Sequence, residues 1–332
     1  MPEIRKNLIT GEYVIMAPER AKRPEDFLSP AKGQVLPAHS EGCPFCPGNE
    51  AKTPPETYRF PEGDNAAWKV RCIPNRFSAL DPTGELWKKD DGLKTSMAGV
   101  GLHEVIIETT RHDLCLPQLA PEDVESVFKV YHHRFRSFYA DPRVEHVILF
   151  KNHGASAGTS LEHPHSQIVG LPMAPVQVRH RAEDSMRFCS DEGCCLVCRT
   201  IEDEMTDAAR VITETENFVA FIPYAALSPF HTWVMPKRHS GCFGETSGPE
   251  VLELAALMRT VLGKIHKGLD NPDFNYVIRS GSPSESGSSH LHWYMAIVPR
   301  VTKAAGFELG TGMYINPSIP ERSAEFLRNV VV

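Results

Sequence analysis

The sequence predicts an α+β chain made of two tandem copies of one unit, each a mainly antiparallel sheet with one long helix. Three observations predict it. First, a series of short motifs occurs twice in the same order: Cys43-Pro44-Phe45-Cys46 and Cys195-Leu196-Val197-Cys198, Arg71-Cys72-Ile73-Pro74 and Ala220-Phe221-Ile222-Pro223, His103 through His112 and His231 through His239, then His163-Pro164-His165 and His290-Leu291-His292. Second, the spacing repeats, because His112 to His163 and His239 to His290 both span 51 residues. Third, between those histidines each copy carries a helical segment opening on Pro-Glu.

The first such helix starts at Pro121-Glu122, and Val124, Val127, Phe128 and Tyr131 follow the i, i+3, i+4, i+7 pattern of a buried stripe. The second starts at Pro249-Glu250 and runs to about His266. Proline in the first turn gives up no needed N–H, and an acid beside it meets the positive end of the helix. The apolar runs His146–Phe150 and Ile168–Leu171 read as strands. Asp81 to Thr95, rich in Lys, Asp and Gly, reads as an exposed loop. Residues 1–172 form the first unit and residues 194–332 the second. The polar, aperiodic stretch 173–193 is expected to be the connector.

A hydrophobic content of 41% with 23% charged residues describes a soluble globular protein. A net charge of −7 offers no basic field, so nucleic acid is not an expected partner. Met1 to Asn7 lacks the apolar stretch of a secretory signal, and no window approaches the ~18 apolar residues of a membrane span. Nine cysteines, two pairs of them in Cys-x2-Cys spacing, point to metal in a reducing cytoplasm rather than to disulfides.

Chemistry concentrates at Glu162-His163-Pro164-His165-Ser166-Gln167. Alternate residues of a strand share a face, so His163, His165 and Gln167 are expected to converge on one patch. Two imidazoles and an amide suit a metal ligand, a nucleophile and a donor to an anionic oxygen better than they suit a core. The preceding loop, Phe150 to Ser160, is small, polar and glycine-spaced, so its backbone can approach phosphate oxygens closely.

The pattern Asn152-x-Gly154-x3-Gly158-x-Ser160-x2-His163-Pro164-His165-x-Gln167 resembles the active-site segment of the galactose-1-phosphate uridylyltransferase family, the transferase branch of the histidine-triad superfamily. Arg20-Ala21-Lys22-Arg23-Pro24, Cys43-Pro44-Phe45-Cys46 and Asn75-x-Phe77 match the same family in order, and the resemblance covers nearly the whole chain. It implies two tandem histidine-triad-like units and a homodimer. It also implies a ping-pong reaction in which His165 takes a nucleotidyl group from a nucleotide sugar. Gln167, Ser160 and loop amides near Asn152 and Gly158 would stabilise the phosphate charge. Arg20, Arg23, Phe45, Asn75 and Phe77 would line the base and ribose.

Thiolate and imidazole are the usual ligands of tetrahedral zinc. One zinc site is expected at Cys43, Cys46, His112 and His163, where the family also places metal, leaving His165 as nucleophile. A second is expected at Cys195, Cys198, His239 and one of His290 and His292. The internal repeat points to His290 there, and similarity to the plant-type branch points to His292. The galactose enzymes use a glutamate and three histidines in this half, and the glutamate position here is about Arg181.

Within the family the first expectation is UDP-glucose or UDP-galactose as donor and hexose 1-phosphate as acceptor. The alternative is ADP-glucose phosphorylase, with phosphate accepting the nucleotidyl group. Ser166 and the stretch Gly306 to Pro317 resemble that plant-type branch, and the Tyr-Glu pair of the galactose enzymes is missing at about Thr311-Gly312. A histidine-triad nucleotide hydrolase ranks below both, because Gln167 stands where its third histidine would be and an amide cannot protonate a leaving group. A zinc-stabilised binding module without catalysis would leave His165 idle beside a complete phosphate loop.

Overall fold

The computed structural model describes residues 1–20, 27, 36–63 and 67–332. One ten-stranded sheet organises it, all of its pairings antiparallel. From one edge the order is Val211–Glu214, Phe218–Phe221, Thr232–Pro236, Tyr294–Pro299 and Phe274–Arg279, then His146–His153, His165–Leu171, Leu102–Ile107, Val70–Pro74 and Tyr58–Phe60. Five strands come from each half in mirrored order. The seam between them pairs Asn275 with Asn152 and Val277 with Phe150. The two units foreseen in the sequence thus share a sheet.

One face of the sheet is closed by two helices packed side by side, Pro121–Phe138 and Gly248–Gly268. Val124, Phe128, Tyr131 and Phe135 of the first, with Leu254, Met258, Val261 and Ile265 of the second, join Ile106, Leu149, Ile168, Val234, Met295 and Ile297 of the strands in one core. Burying each such side chain is worth about 1.5–3 kcal/mol, so this shared core ties the halves together far more firmly than surface polar contacts do. A capping box starts the second helix: Glu250 N donates to Ser247 Oγ, and Ser247 N donates to Glu250 Oε2 at 2.8 Å.

Among the described residues the opposite face is covered at its flanks. Cys43, Phe45, Cys46 and Trp68 pack on Ile73, Val105 and Ile107 at one side. Cys195, Leu196, Val197 and Ile201 pack on Val219, Phe221, Trp233 and Ala296 at the other. Where a connector was expected at residues 173–193, the chain forms a helix, Val176–Glu192, stopped by Gly193 in the left-handed region at φ +73°. The segment read as a loop from Asp81 to Thr95 is exposed as expected but carries a hairpin, Lys88–Asp91 with Lys94–Met97. The Gly306 to Pro317 stretch forms a short helix, Gly306–Thr311, and a strand, Tyr314–Asn316, parallel to Tyr13–Met16. Among the described residues no helix is long and apolar enough to cross a membrane.

Candidate active site and metal centres

His165 opens its strand and sits 7% exposed on the face away from the helices. A carbonyl oxygen can only accept, so the 2.8 Å contact between His165 Nδ1 and His163 O places the ring proton on Nδ1. Nε2 is left with its lone pair. Burial holds the imidazole below its ordinary pKa, keeping it neutral. Phe45 stands edge-on to this ring at 5.3 Å and to His163 at 6.2 Å.

Beneath His165 lies a buried polar network. Lys151 donates to Glu108 and, at 3.2 Å, to the backbone carbonyl of His165. Ser166 also donates to Glu108, Tyr131 OH donates to Glu108 at 2.5 Å, and Tyr276 OH lies 2.6 Å from Tyr131 OH. Burial opposes charge on Glu108, yet the Lys151 ammonium prevails and holds the carboxyl below its ordinary range. The strand bearing His165 is thereby fixed from below, by residues of both halves.

Gln167 points to the same side as His165. Its Oε1 lies 2.8 Å from His103 Nε2 and 3.4 Å from Asn75 Nδ2, and these contacts leave the amide N–H groups as its free end. Asn75 is itself oriented by the Phe77 amide, which donates to Oδ1 at 2.9 Å. Phe77 is 86% exposed and Phe45 7%, so the two aromatic residues differ: Phe77 offers an open ring face, whereas Phe45 is packed against the histidines. Arg23 lies outside the described residues, as does the side chain of Arg20.

The loop ahead of the strand is held from the second half. Asn152 Oδ1 accepts from Asn275 Nδ2 at 2.8 Å, and Ala157 O accepts from the same group at 2.8 Å. Asp273 accepts from Ser156 N at 2.7 Å and from its hydroxyl at 2.6 Å. Gly154 has φ +83°, and a Cβ there would meet Asp273 at 1.8 Å, so only glycine fits. Gly158 also lies in the left-handed region at φ +90°, and Ser160 is exposed beyond it. His103, Asn275, Asp273 and Lys151 were not picked out as site residues from sequence. His103 left a trace as a member of the repeated series, and Lys151 as part of the stretch Phe150 to Ser160.

The first cysteine–histidine cluster assembles as expected: the ligand atoms of Cys43, Cys46, His112 and His163 all lie within 4.8 Å of one another and all four residues are buried. Cys46 Sγ is 3.6 Å from Nδ1 of both histidines. Tetrahedral zinc with bonds of about 2.3 Å to sulfur and 2.0–2.1 Å to nitrogen requires a separation of about 3.6 Å. Amides of Ser40 and Phe45 point at the two sulfurs, and His163 Nε2 donates to Thr109 O at 2.8 Å, so Nδ1 faces the metal position. Burial drives His163 down to about 4, which keeps it in the neutral form that ligates.

The second cluster is Cys195, Cys198, His239 and His292. Cys198 Sγ lies 3.4 and 3.5 Å from Nδ1 of His239 and His292, while Nε2 of those rings donates to Ser288 O and Pro236 O. His290 is corrected out of the ligand set. Only its backbone carbonyl approaches, accepting from Cys195 Sγ at 3.8 Å. From His239 to His292 is 53 residues, two more than from His112 to His163, so the equal 51-residue spacing to His290 misaligned the pair. Cys72, Cys115, Cys189, Cys194 and Cys242 belong to neither cluster among the described residues. Both donor sets fit zinc in number, chemistry and separation.

The sequence profile of the galactose-1-phosphate uridyl transferase N-terminal domain matches residues 1–175. ADP-glucose phosphorylase of Arabidopsis thaliana is 36% identical over 99% of this chain and 93% of its own length. Galactose-1-phosphate uridylyltransferase of Thermotoga maritima is 28% identical over 100% of this chain and 99% of its own. The crystal structure of the Arabidopsis ADP-glucose phosphorylase with bound ADP-glucose superposes with a TM-score of 0.83 at 32% identity, over the full length of both chains.

Proposed function

The chain belongs to the galactose-1-phosphate uridyl transferase family, and on that premise we propose that it moves a nucleotidyl group from a nucleotide sugar to a phosphate-bearing acceptor through a covalent bond to His165. The observation that carries this reading is the His165 Nδ1 contact with His163 O, which fixes the tautomer that can attack. In the first step Nε2 bonds to the α-phosphorus as the bond from that phosphorus to the bridging oxygen breaks. Hexose 1-phosphate leaves with the electron pair. In the second step an oxygen of the acceptor displaces Nε2 and restores the free imidazole.

The Gln167 amide N–H groups and the loop amides around Gly158 offer donors to the phosphoryl oxygens, where charge stabilisation matters more than covalent help. Asn152 and Ser160 border the same loop. Phe77 offers a face for the base. Cys43, Cys46, His112 and His163 would hold zinc, which supplies structural fixation to the strand carrying His165. Cys195, Cys198, His239 and His292 would hold a second zinc in the other half.

Two donors compete. ADP-glucose, with phosphate as acceptor, is favoured by the 36% identity to the Arabidopsis phosphorylase and by the missing Tyr-Glu pair at Thr311-Gly312. A UDP-hexose, with hexose 1-phosphate as acceptor, is favoured by the profile match of the catalytic half and by full-length similarity to the Thermotoga enzyme. Intact-protein mass spectrometry after separate incubation with UDP-glucose, UDP-galactose and ADP-glucose decides between them. An adenylyl gain on the protein, absent in His165→Ala, selects the phosphorylase reading, and a uridylyl gain selects the other. No adduct from any donor on zinc-loaded protein sinks the covalent reading for these sugars.

A further inference from the structure

The second half repeats the open face of the first. Tyr294–Pro299 occupies the place of His165–Leu171, and Phe274–Arg279 that of His146–His153. With His292 as the counterpart of His163, Tyr294 stands where His165 stands, and Ala296 where Gln167 stands. The nucleophile and its amide neighbour are gone from this half. Positive charge has gathered instead.

Arg181, Arg279, Arg300 and Lys303 line a cavity of about 290 Å³ together with His231 and Tyr294. One carboxylate, Glu308, also borders it, and its Oε2 accepts from Ala305 N at 2.8 Å. Glu12 approaches Arg181 from beside the cavity, at 3.9 Å. Arg300 donates to Asn275 Oδ1, while the Arg279 guanidinium has no hydrogen bond or ion pair among the described residues.

The unpartnered atoms that line the cavity are all able to donate, whereas Glu12 Oε2 beside it is a buried acceptor without a partner. Trp233 Nε1 can only donate, and it does so to His231 Nε2 at 3.1 Å, so the His231 proton sits on Nδ1. That Nδ1, the Tyr294 hydroxyl and Arg181 Nη1 are buried and have no partner. Burial, then the three neighbouring arginines, push His231 down to about 3, so its N–H is a neutral donor. Buried donors and cations without acceptors are costly, and a compact anion with several oxygens answers all of them at once.

We propose that this cavity is a second anion site, taking a phosphate-type oxyanion, built where the repeat has lost its nucleophile. It binds without turning over, because none of its groups is an imidazole free to attack phosphorus. The proposal rests on the repeat and the cavity, not on the donor used at His165.

The test is thermal unfolding and titration calorimetry of His165→Ala with inorganic phosphate, and in a second arm with glucose 1-phosphate. Phosphate should raise Tm and bind in calorimetry. Arg279→Gln added to that background should abolish the shift, and Tyr294→Phe should weaken binding about tenfold. Without phosphate, Arg279→Gln should melt no lower than its parent, since an unpaired cation has been removed from beside Arg181. The stronger ligand of the two arms says whether the site is shaped for the free anion or for an ester. A lower melting point for Arg279→Gln without phosphate would make Arg279 a packing residue and overturn the proposal. So would a phosphate shift indifferent to both substitutions, or no phosphate binding at all.

Discussion

Asn275 donates its side-chain amide to Asn152 Oδ1 at 2.8 Å, across the seam where the two halves pair. The same amide holds Ala157 O, so a residue of the second half sets the loop that precedes His165 in the first. That loop is therefore not held by residues 1–172 alone.

Asn275→Ala should slow transfer without emptying the metal sites. Two hydrogen bonds to the loop are lost, each worth about 1 kcal/mol net, so the rate of adduct formation should fall roughly 10- to 30-fold. Rapid-quench mass spectrometry reads the rate, and metal analysis checks that zinc is retained. An unchanged rate would mean that the loop holds its shape without the seam.

Metal content should be two zinc ions per chain. Cys46→Ala and His292→Ala should each leave one, whereas His290→Ala should leave two, because only the carbonyl of His290 reaches the cluster. Loss of the first zinc should also stop adduct formation, since His163 ties the strand of His165 to the Cys-x2-Cys turn. One ion remaining in His290→Ala would restore His290 as a ligand.

Lys151→Met strands the Glu108 carboxylate, which is 1% exposed, among Tyr131, Ser166 and Tyr276. Breaking one partner of a buried pair costs about 3–5 kcal/mol, seen as a large drop in the denaturation midpoint. Replacing both, as Lys151→Met with Glu108→Leu, should recover much of that loss. Activity should stay low in the double variant, because the contact from Lys151 to His165 O is gone. Full activity in a stable double variant would remove the network from any part in positioning His165.

Burial lowers the His165 pKa, so the folded imidazole stays neutral at pH values where a free one, with a pKa of about 6.5, is half protonated. The rate of adduct formation should therefore be flat from about pH 8 to 6.5 and fall only below that, as protonation removes the Nε2 lone pair. A decline already centred above pH 7 would show that His165 is protonated more easily than its buried setting allows.

Much of the site was legible because its chemistry is local. Cys-x2-Cys, His-Pro-His-x-Gln and the glycine spacing of the loop mark out candidate ligands, a candidate nucleophile and a candidate phosphate loop by residue type alone. The two long helices were legible from proline starts and an apolar stripe. The helix Val176–Glu192 was not, since Ser185 is its only buried residue and no stripe marks it. His103 and Asn275 were missed because each acts on a residue distant in sequence: His103 meets Gln167, 64 positions away, and Asn275 meets Asn152, 123 positions away.

The α+β repeat and the first Cys2His2 cluster were legible from the chain alone, because these follow from residue types at short, regular spacings. Tertiary structure decided which histidine of the second pair turns its Nδ1 to the cysteines, since ligation depends on where a ring nitrogen points and not on a residue count. It also decided that the two halves share one sheet and one core, because packing both helices together leaves the least apolar surface exposed to water. Pairing across the seam then placed Asn275 and Asp273 on the loop ahead of His165, a consequence of register that no spacing along the chain records.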